Sequence, residues 1–443
     1  MVGNRSGAAA VIANRSFVVF AVTQAVSLMG DKVNYMALLG LFAWLAARGG
    51  PAASRSIALI TLAAALPAII FAPFAGVIAD RADRRKLMLT CDAARLVLVG
   101  LVPAAVLATG SLPVVVGLAL AIFFGGLVFN SARNAVLPTL AGADTELGEA
   151  PARLVAANSF MSLTGRAATI GGMLLGGMLV DWSGWQNIGV RPAWAAGFYL
   201  DALTYLVALV GIVFAWRRLG ARPASPPATV TAARHTWADL AEAWRFARQA
   251  PPVLFVYGSV LVLVAISSAF LILYVPIIQD GAGLDLGTRG VGFTAAIGAA
   301  GLLLSSAWYG LVGSRFPREV AILAGLLLLG GIGTALPFAR SFALVAPLAF
   351  VAGLALTPVY VAMDTLLHET VPPAARGRVF ANRDWLTHLT LAASALATGM
   401  LAGRCSSRRL LLGVSLLVIL LAALGLLFGS RVLRRYGAER KAA

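Results

Sequence analysis

Apolar runs long enough to cross a bilayer, separated by short polar turns, constrain this chain more than any other feature. A transmembrane helix needs about 20 consecutive apolar residues, and windows of that kind recur throughout the 443 residues. The predicted spans are 17–46, 57–79, 87–109, 113–138, 155–180 and 194–216, then 253–278, 290–312, 320–338, 342–367, 379–401 and 410–428. With 60% hydrophobic and only 12% charged residues, the chain has too little polar surface for a soluble domain of this length. The expected fold is an all-α polytopic membrane protein of twelve transmembrane helices. Its longest polar stretch, 217–252, separates an N-terminal six-helix bundle over 1–216 from a C-terminal one over 253–443.

The two sets of six carry copies of one hairpin. Gly76-Val-Ile-Ala-Asp80-Arg81-Ala-Asp83-Arg84-Arg85-Lys86 lies between the second and third spans, and Gly310-Leu-Val-Gly-Ser314-Arg315-Phe-Pro-Arg318 lies between the eighth and ninth. A charged hairpin that returns at half the chain length marks a duplicated membrane transporter. The first copy resembles the G-x-x-x-D-R-x-x-R-R/K loop signature of the major facilitator superfamily, with Asp83 where the commonest form has glycine. That resemblance implies two pseudo-symmetric bundles. It also implies a gating role for Gly76, Asp80, Arg81, Arg84, Arg85, Arg315 and Arg318. Asp80 would meet the positive N-terminus of the eleventh helix near 378–383, with Arg84 bracing it.

The net charge of +17 does not point to nucleic acid, because the arginines lie between apolar spans and form no basic domain. With both termini in the cytoplasm, most Lys and Arg fall on the inside, including the tail residues Arg431, Arg434, Arg435, Arg440 and Lys441. Arg404, Arg408 and Arg409 are a local exception. The expected location is a bacterial cytoplasmic (inner) membrane. Cys91 and Cys405 lie in different halves and suggest neither a metal cluster nor a disulfide. His235, His368 and His388 lack ligand spacing, and no phosphate loop or nucleophilic triad is visible. No metal, cofactor, nucleic-acid partner or enzymatic activity is expected. The first span is too long for the h-region of a signal peptide and should remain in the protein. In the linker, Thr236 and Asp239 have capping-box spacing, and Trp237, Leu240, Ala241 and Trp244 share one helical face. Such a helix can lie at the membrane interface or act as a spacer.

Ionisable groups inside a span cost about 2.5–3.5 kcal/mol even on the lenient insertion scale. On the first span, Gln24, Ser27, Asp31, Asn34 and Tyr35 form a polar stripe expected to face water, with Asp31 near the bilayer midplane. Lys32 points about 100° away and needs a partner on another helix or an aqueous outlet. The tenth span has a similar stripe of Thr357, Tyr360, Asp364 and His368. Arg166 on the fifth precedes Gly171, Gly172, Gly176 and Gly177, which permit close helix packing. Asn130, Arg133 and Asn134 end the fourth span. Asp92 and Arg95 on the third are expected to pair with each other or brace the loop, and Arg383, Asp384 and His388 to act structurally at the start of the eleventh. The candidate proton-coupling and cavity residues are therefore Asp31, Lys32, Gln24, Asn34, Tyr35, Arg166, Tyr360 and Asp364.

Further segments resemble the efflux branch of the superfamily that includes macrolide and enterobactin exporters. These are Asn14-Arg15-Ser16-Phe17, Gly30-Asp31, the 80–85 hairpin, the 237–251 linker and the run from Glu369 to Asn382. That resemblance implies proton-coupled efflux of an amphipathic small molecule by alternating access, from a monomer in the lipid bilayer. Gly30-Asp31 and Ala157-Asn158 are also similar to the bacterial lysophospholipid transporter family, where Lys32 and Arg166 would hold a phosphate. A transport-inactive scaffold or sensor would not need ionisable residues aligned on stripes.

Overall fold

The computed structural model describes residues 11–50, 52–141, 150–219, 236–279, 284–313, 316–402 and 404–429. Six long helices precede the linker: α1 (Arg15–Ala46), α2 (Ala53–Arg81), α3 (Arg84–Thr109), α4 (Leu112–Leu140), α5 (Ala150–Val180) and α6 (Ala195–Leu219). The linker holds α7 (Thr236–Gln249). Six more follow: α8 (Pro251–Gln279), α9 (Gly287–Val312), α10 (Arg318–Ala335), α11 (Phe342–Thr370), α12 (Pro373–Ala402) and α13 (Ser407–Leu424). All but α7 are long and apolar enough to cross a membrane, which makes twelve spans and a multi-pass membrane protein.

Two helices run further than hydropathy alone predicts. α2 continues through Gly76 to Arg81, so most of the charged signature is helical and only Ala82 and Asp83 separate α2 from α3. α12 begins at Pro373, six residues before the predicted span, because proline suits the first turn of a helix while the polar 376–378 segment hides it from a hydropathy scan. Asp83 explains its own departure from the signature. It caps α3, its carboxylate accepting the backbone N–H groups of Arg85 and Lys86 at 3.0 and 3.1 Å.

The chain divides into two compact units, Met1–Trp44 with Ile70–Ala233, and Leu45–Ile69 with Arg234–Ala443. In the first, α3 packs on α4 and α6. In the second, α10 packs on α11 and α13, α9 on α11, and α12 on α8. The second unit has an apolar core built from α8, α10, α11 and α12, including Val253, Leu263, Ile322, Val359, Leu367 and Val379. Its backbones come closest where Gly353 of α11 meets Gly298 of α9, a site with no room for a β-carbon. The first unit has a smaller apolar cluster around Phe17, Phe20, Met88, Phe129, Leu140 and Ile212.

Candidate functional site

Above that cluster, the first unit buries charge. Gly30 sits on α1 where α6 crosses it, and a β-carbon there would collide with Thr204 and Asp201. This close approach places the next residue, Asp31, under Tyr205 of α6, whose hydroxyl donates to the Asp31 carboxylate at 2.5 Å. One turn on, Asn34 donates to Asp201 at 2.6 Å, and Thr204 also donates to the Asp201 carboxylate. Asp201 and Tyr205 are fully buried.

The cation of the cluster comes from α3. Arg95 extends past Gly125 and Gly126 of α4, where larger residues would crowd its side chain. Its guanidinium lies over the Tyr205 ring at 4.3 Å and donates to Asp31 at 3.0 Å. Asp92, one turn back, approaches the same guanidinium at 3.6 Å. Among the described residues, no hydrogen-bond donor reaches either oxygen of Asp92, although it is 1% exposed. Arg133 of α4 is the next cation electrostatically coupled to Asp31. Two carboxylates thus flank one guanidinium and a third, Asp201, is electrostatically coupled to it, in a medium where an unpaired charge costs several kcal/mol.

This arrangement revises several expectations. Asp92 and Arg95 form the expected ion pair at 3.6 Å, but it is shared, because the hydrogen bond of Arg95 goes to Asp31. The stripe on α1 does not present a uniform face to water. Gln24 and Ser27 are buried, Asn34 turns to Asp201, and Asp31 keeps 31% of its side chain exposed. Lys32 lies beside Gly172 of α5 and has no hydrogen bond or ion pair among the described residues. Gly172 and Gly176 admit α1 as the glycine pattern implied. Asp201 and Tyr205 are not among the residues singled out from the sequence, although with Thr204 they follow 3–4 spacing on α6.

The second unit keeps its charges apart from its core. Arg383 of α12 pairs with Asp364 of α11 and donates to Asp384 at 2.8 Å. Asp364 is half exposed, and so is Tyr360. His388 donates from Nδ1 to the Asp384 backbone carbonyl at 2.8 Å, so Arg383 rather than His388 is the partner of both acids. Arg378 bonds Glu242 of α7 at 2.5 Å, and Trp244 of α7 stacks on Tyr257 of α8. At the second hairpin, Arg318 binds Glu369 at 3.1 Å and the Gly313 carbonyl at 2.9 Å. At the first, Arg84 donates to the Ala135 carbonyl of α4 at 3.2 Å. Arg85 follows the capping Asp83, while the side chains of Gly76, Asp80, Arg81 and Arg315 lie outside the described residues. No cluster of metal-binding side chains occurs among the described residues.

Twelve spans in two units, with ionisable groups buried inside one of them, define a membrane transporter. The chain belongs to the Major Facilitator Superfamily, whose family model matches residues 8–382. It is 26% identical over 394 residues to the uncharacterized MFS-type transporter YfiS of Bacillus subtilis (strain 168), covering 86% of this chain and 85% of that one. Among solved structures, the nucleoside transporter NupG matches with a TM-score of 0.73 at 11% identity, over 92% of this chain and 99% of that one. A bacterial homologue of the iron transporter ferroportin, in an inward-facing state, matches at 0.69 and 16% identity, over 92% and 97%. At such identities the likeness is one of fold alone. Members of this superfamily are transporters and not enzymes.

Proposed function

We propose that this protein exports an amphipathic small molecule in exchange for protons, by alternating access, from a bacterial cytoplasmic membrane with both termini inside. The six-helix bundles would be 1–216 and 253–443, joined by 217–252, and a monomer suffices for transport. One observation carries the reading: Asp31 is a mid-span carboxylate that is held by Arg95 and Tyr205 yet remains part-exposed. A carboxylate in that position can be reached by a proton or by a cationic substrate, and the two compete for it. The resemblance to the macrolide and enterobactin exporter branch supports the outward direction. The gating role assigned to Asp80, Arg81, Arg84, Arg85, Arg315 and Arg318 belongs to the same reading.

The test is ethidium transport into inside-out proteoliposomes under an imposed pH gradient. Asp31→Asn is expected to abolish gradient-driven uptake while the protein still inserts and folds. Uptake at the parent rate would remove Asp31 from the coupling step.

Lys32 favours a second reading. A cation on a membrane helix with no ion-pair partner among the described residues suits an anionic headgroup, as in a lysophospholipid transporter. Lys32→Gln should then abolish lysophosphatidylethanolamine transfer between proteoliposome leaflets and leave ethidium transport at the parent rate.

A further inference from the structure

The acids around Arg95 are not equivalent, and the difference lies in their donors. Asp31 accepts from Arg95 and Tyr205. Asp201 accepts from Asn34 and Thr204. Asp92 is as deeply buried as Asp201 yet accepts no hydrogen bond among the described residues, and it stands 3.6 Å from the guanidinium already committed to Asp31. A buried carboxylate without a donor is costly, so its place beside an arginine that faces another acid calls for a reason.

We propose that Asp31 and Asp92 are alternate counter-ions of Arg95: a proton arriving on Asp31 releases the guanidinium, which passes to Asp92. This deepens the proton-exchange reading above and rests on it. One O–H bond forms on an Asp31 carboxylate oxygen, its proton supplied by solvent, and no covalent bond in the protein breaks. The Arg95 N–H group that leaves Asp31 is accepted by Asp92, so the guanidinium is never left bare in a low-dielectric interior. Tyr205 keeps its hydroxyl on Asp31 in both arrangements. Arg95 would need only a small swing, because both acids already flank it.

The titratable and charged groups coupled to the pair come from four helices. Among the described residues, α1 contributes Asp31, α3 Cys91, Asp92 and Arg95, α4 Arg133, and α6 Asp201 and Tyr205. Of these, only Asp31 and Asp92 lie within 4.0 Å of Arg95 as ion pairs among the described residues.

The test reads proton binding directly and does not depend on transport. The infrared band of protonated carboxylic acid is titrated with pH on purified protein, and Asp31 is identified as the component missing in Asp31→Asn. Asp92 is identified in the same way, as the carboxylate stretching band missing in Asp92→Asn, and in the parent that band should shift as Asp31 takes its proton, because the guanidinium then arrives on Asp92. Asp92→Glu should keep the coupled change. An Asp92 band that stays put while Asp31 protonates overturns the counter-ion exchange while leaving proton-coupled transport standing on its own assay. A parent in which Asp31 does not titrate overturns both. Thermal unfolding provides the second measure. Each single variant retains one counter-ion and should melt near the parent, whereas Asp31→Asn with Asp92→Asn should lose more than the sum of the two. Additive losses, or an Asp92→Asn variant that fails to fold by itself, would make Asp92 a fixed structural partner and end the proposal.

Discussion

The interiors of the two units are built on opposite principles. In the second, the helices meet through an apolar core, and its buried polar groups include hydroxyls that bond to backbone, as Ser305 does to the Leu354 carbonyl at 2.7 Å and Thr357 to the Leu302 carbonyl at 3.1 Å. In the first, α1, α3 and α6 meet through three carboxylates, a guanidinium and a phenol. Hydroxyl-to-backbone bonds satisfy themselves within the bilayer and add little. A buried ion cluster is sensitive to the loss of the cation that its acids share. The first unit thus holds its charged groups in its interior, whereas in the second the charged groups Arg383, Asp364 and Asp384 are part-exposed.

The largest effect should come from taking away the cation that Asp31 and Asp92 share. Arg95→Gln leaves Asp31 and Asp92 without their partner, and removing one side of a buried pair costs about 3–5 kcal/mol. Ser305→Ala in the second unit removes a single hydrogen bond, worth about 0.6 kcal/mol in membrane proteins. Thermal unfolding of both variants in the same detergent measures the difference. Equal shifts would mean that the cluster is no more critical than an ordinary hydroxyl, and the contrast between the units would collapse.

A middle-sized effect should separate packing from chemistry. Gly30 and Gly353 are both contact points where a side chain does not fit. Overpacking at either costs about 1–3 kcal/mol, so Gly30→Val and Gly353→Val should destabilise to a similar degree. Only Gly30→Val also pushes α6 away from α1, and with it Tyr205 from Asp31 and Asn34 from Asp201. Ethidium transport per folded molecule should therefore fall at least tenfold further in Gly30→Val than in Gly353→Val, roughly the effect of misplacing a functional group by 1 Å. Comparable activity in the two variants would show that the α1–α6 crossing positions nothing.

The twelve spans were legible because a bilayer imposes one length and one composition on any helix that crosses it, and the α7 helix because its capping and amphipathic pattern is local. Asp31 was legible for the same reason, as an acid that an apolar span does not tolerate without cause. Its partners were not. Arg95 and Asp92 share one helix face and read as a private pair, whereas the guanidinium reaches α1 through space opened by Gly125 and Gly126 on a third helix. Asp201, Thr204 and Tyr205 on α6 span little more than one turn, too short a row to stand out as a stripe. Helix pairing is set by contacts between spans, and no pattern within a single span records it. A charged residue in an apolar run is thus better taken as half of an unknown pair than as part of its own helix's stripe.

The smallest effect concerns the repeated hairpin, where the two units resemble each other most. The first arginine of α3 and the first of α10 each reach toward the C-terminal part of a neighbouring helix: Arg84 to the Ala135 carbonyl of α4, and Arg318 to Glu369 of α11. The second contact is an ion pair with Glu369 half exposed, and surface pairs of that kind contribute about 0–1 kcal/mol. Arg318→Ala should therefore lower stability by no more than that, and the loss should shrink in high salt as screening weakens the pair. Thermal unfolding of Arg318→Ala and the parent at low and high salt checks this. A loss that salt does not alter would mean that the bond of Arg318 to the Gly313 carbonyl, and not its pair with Glu369, is what holds the second hairpin.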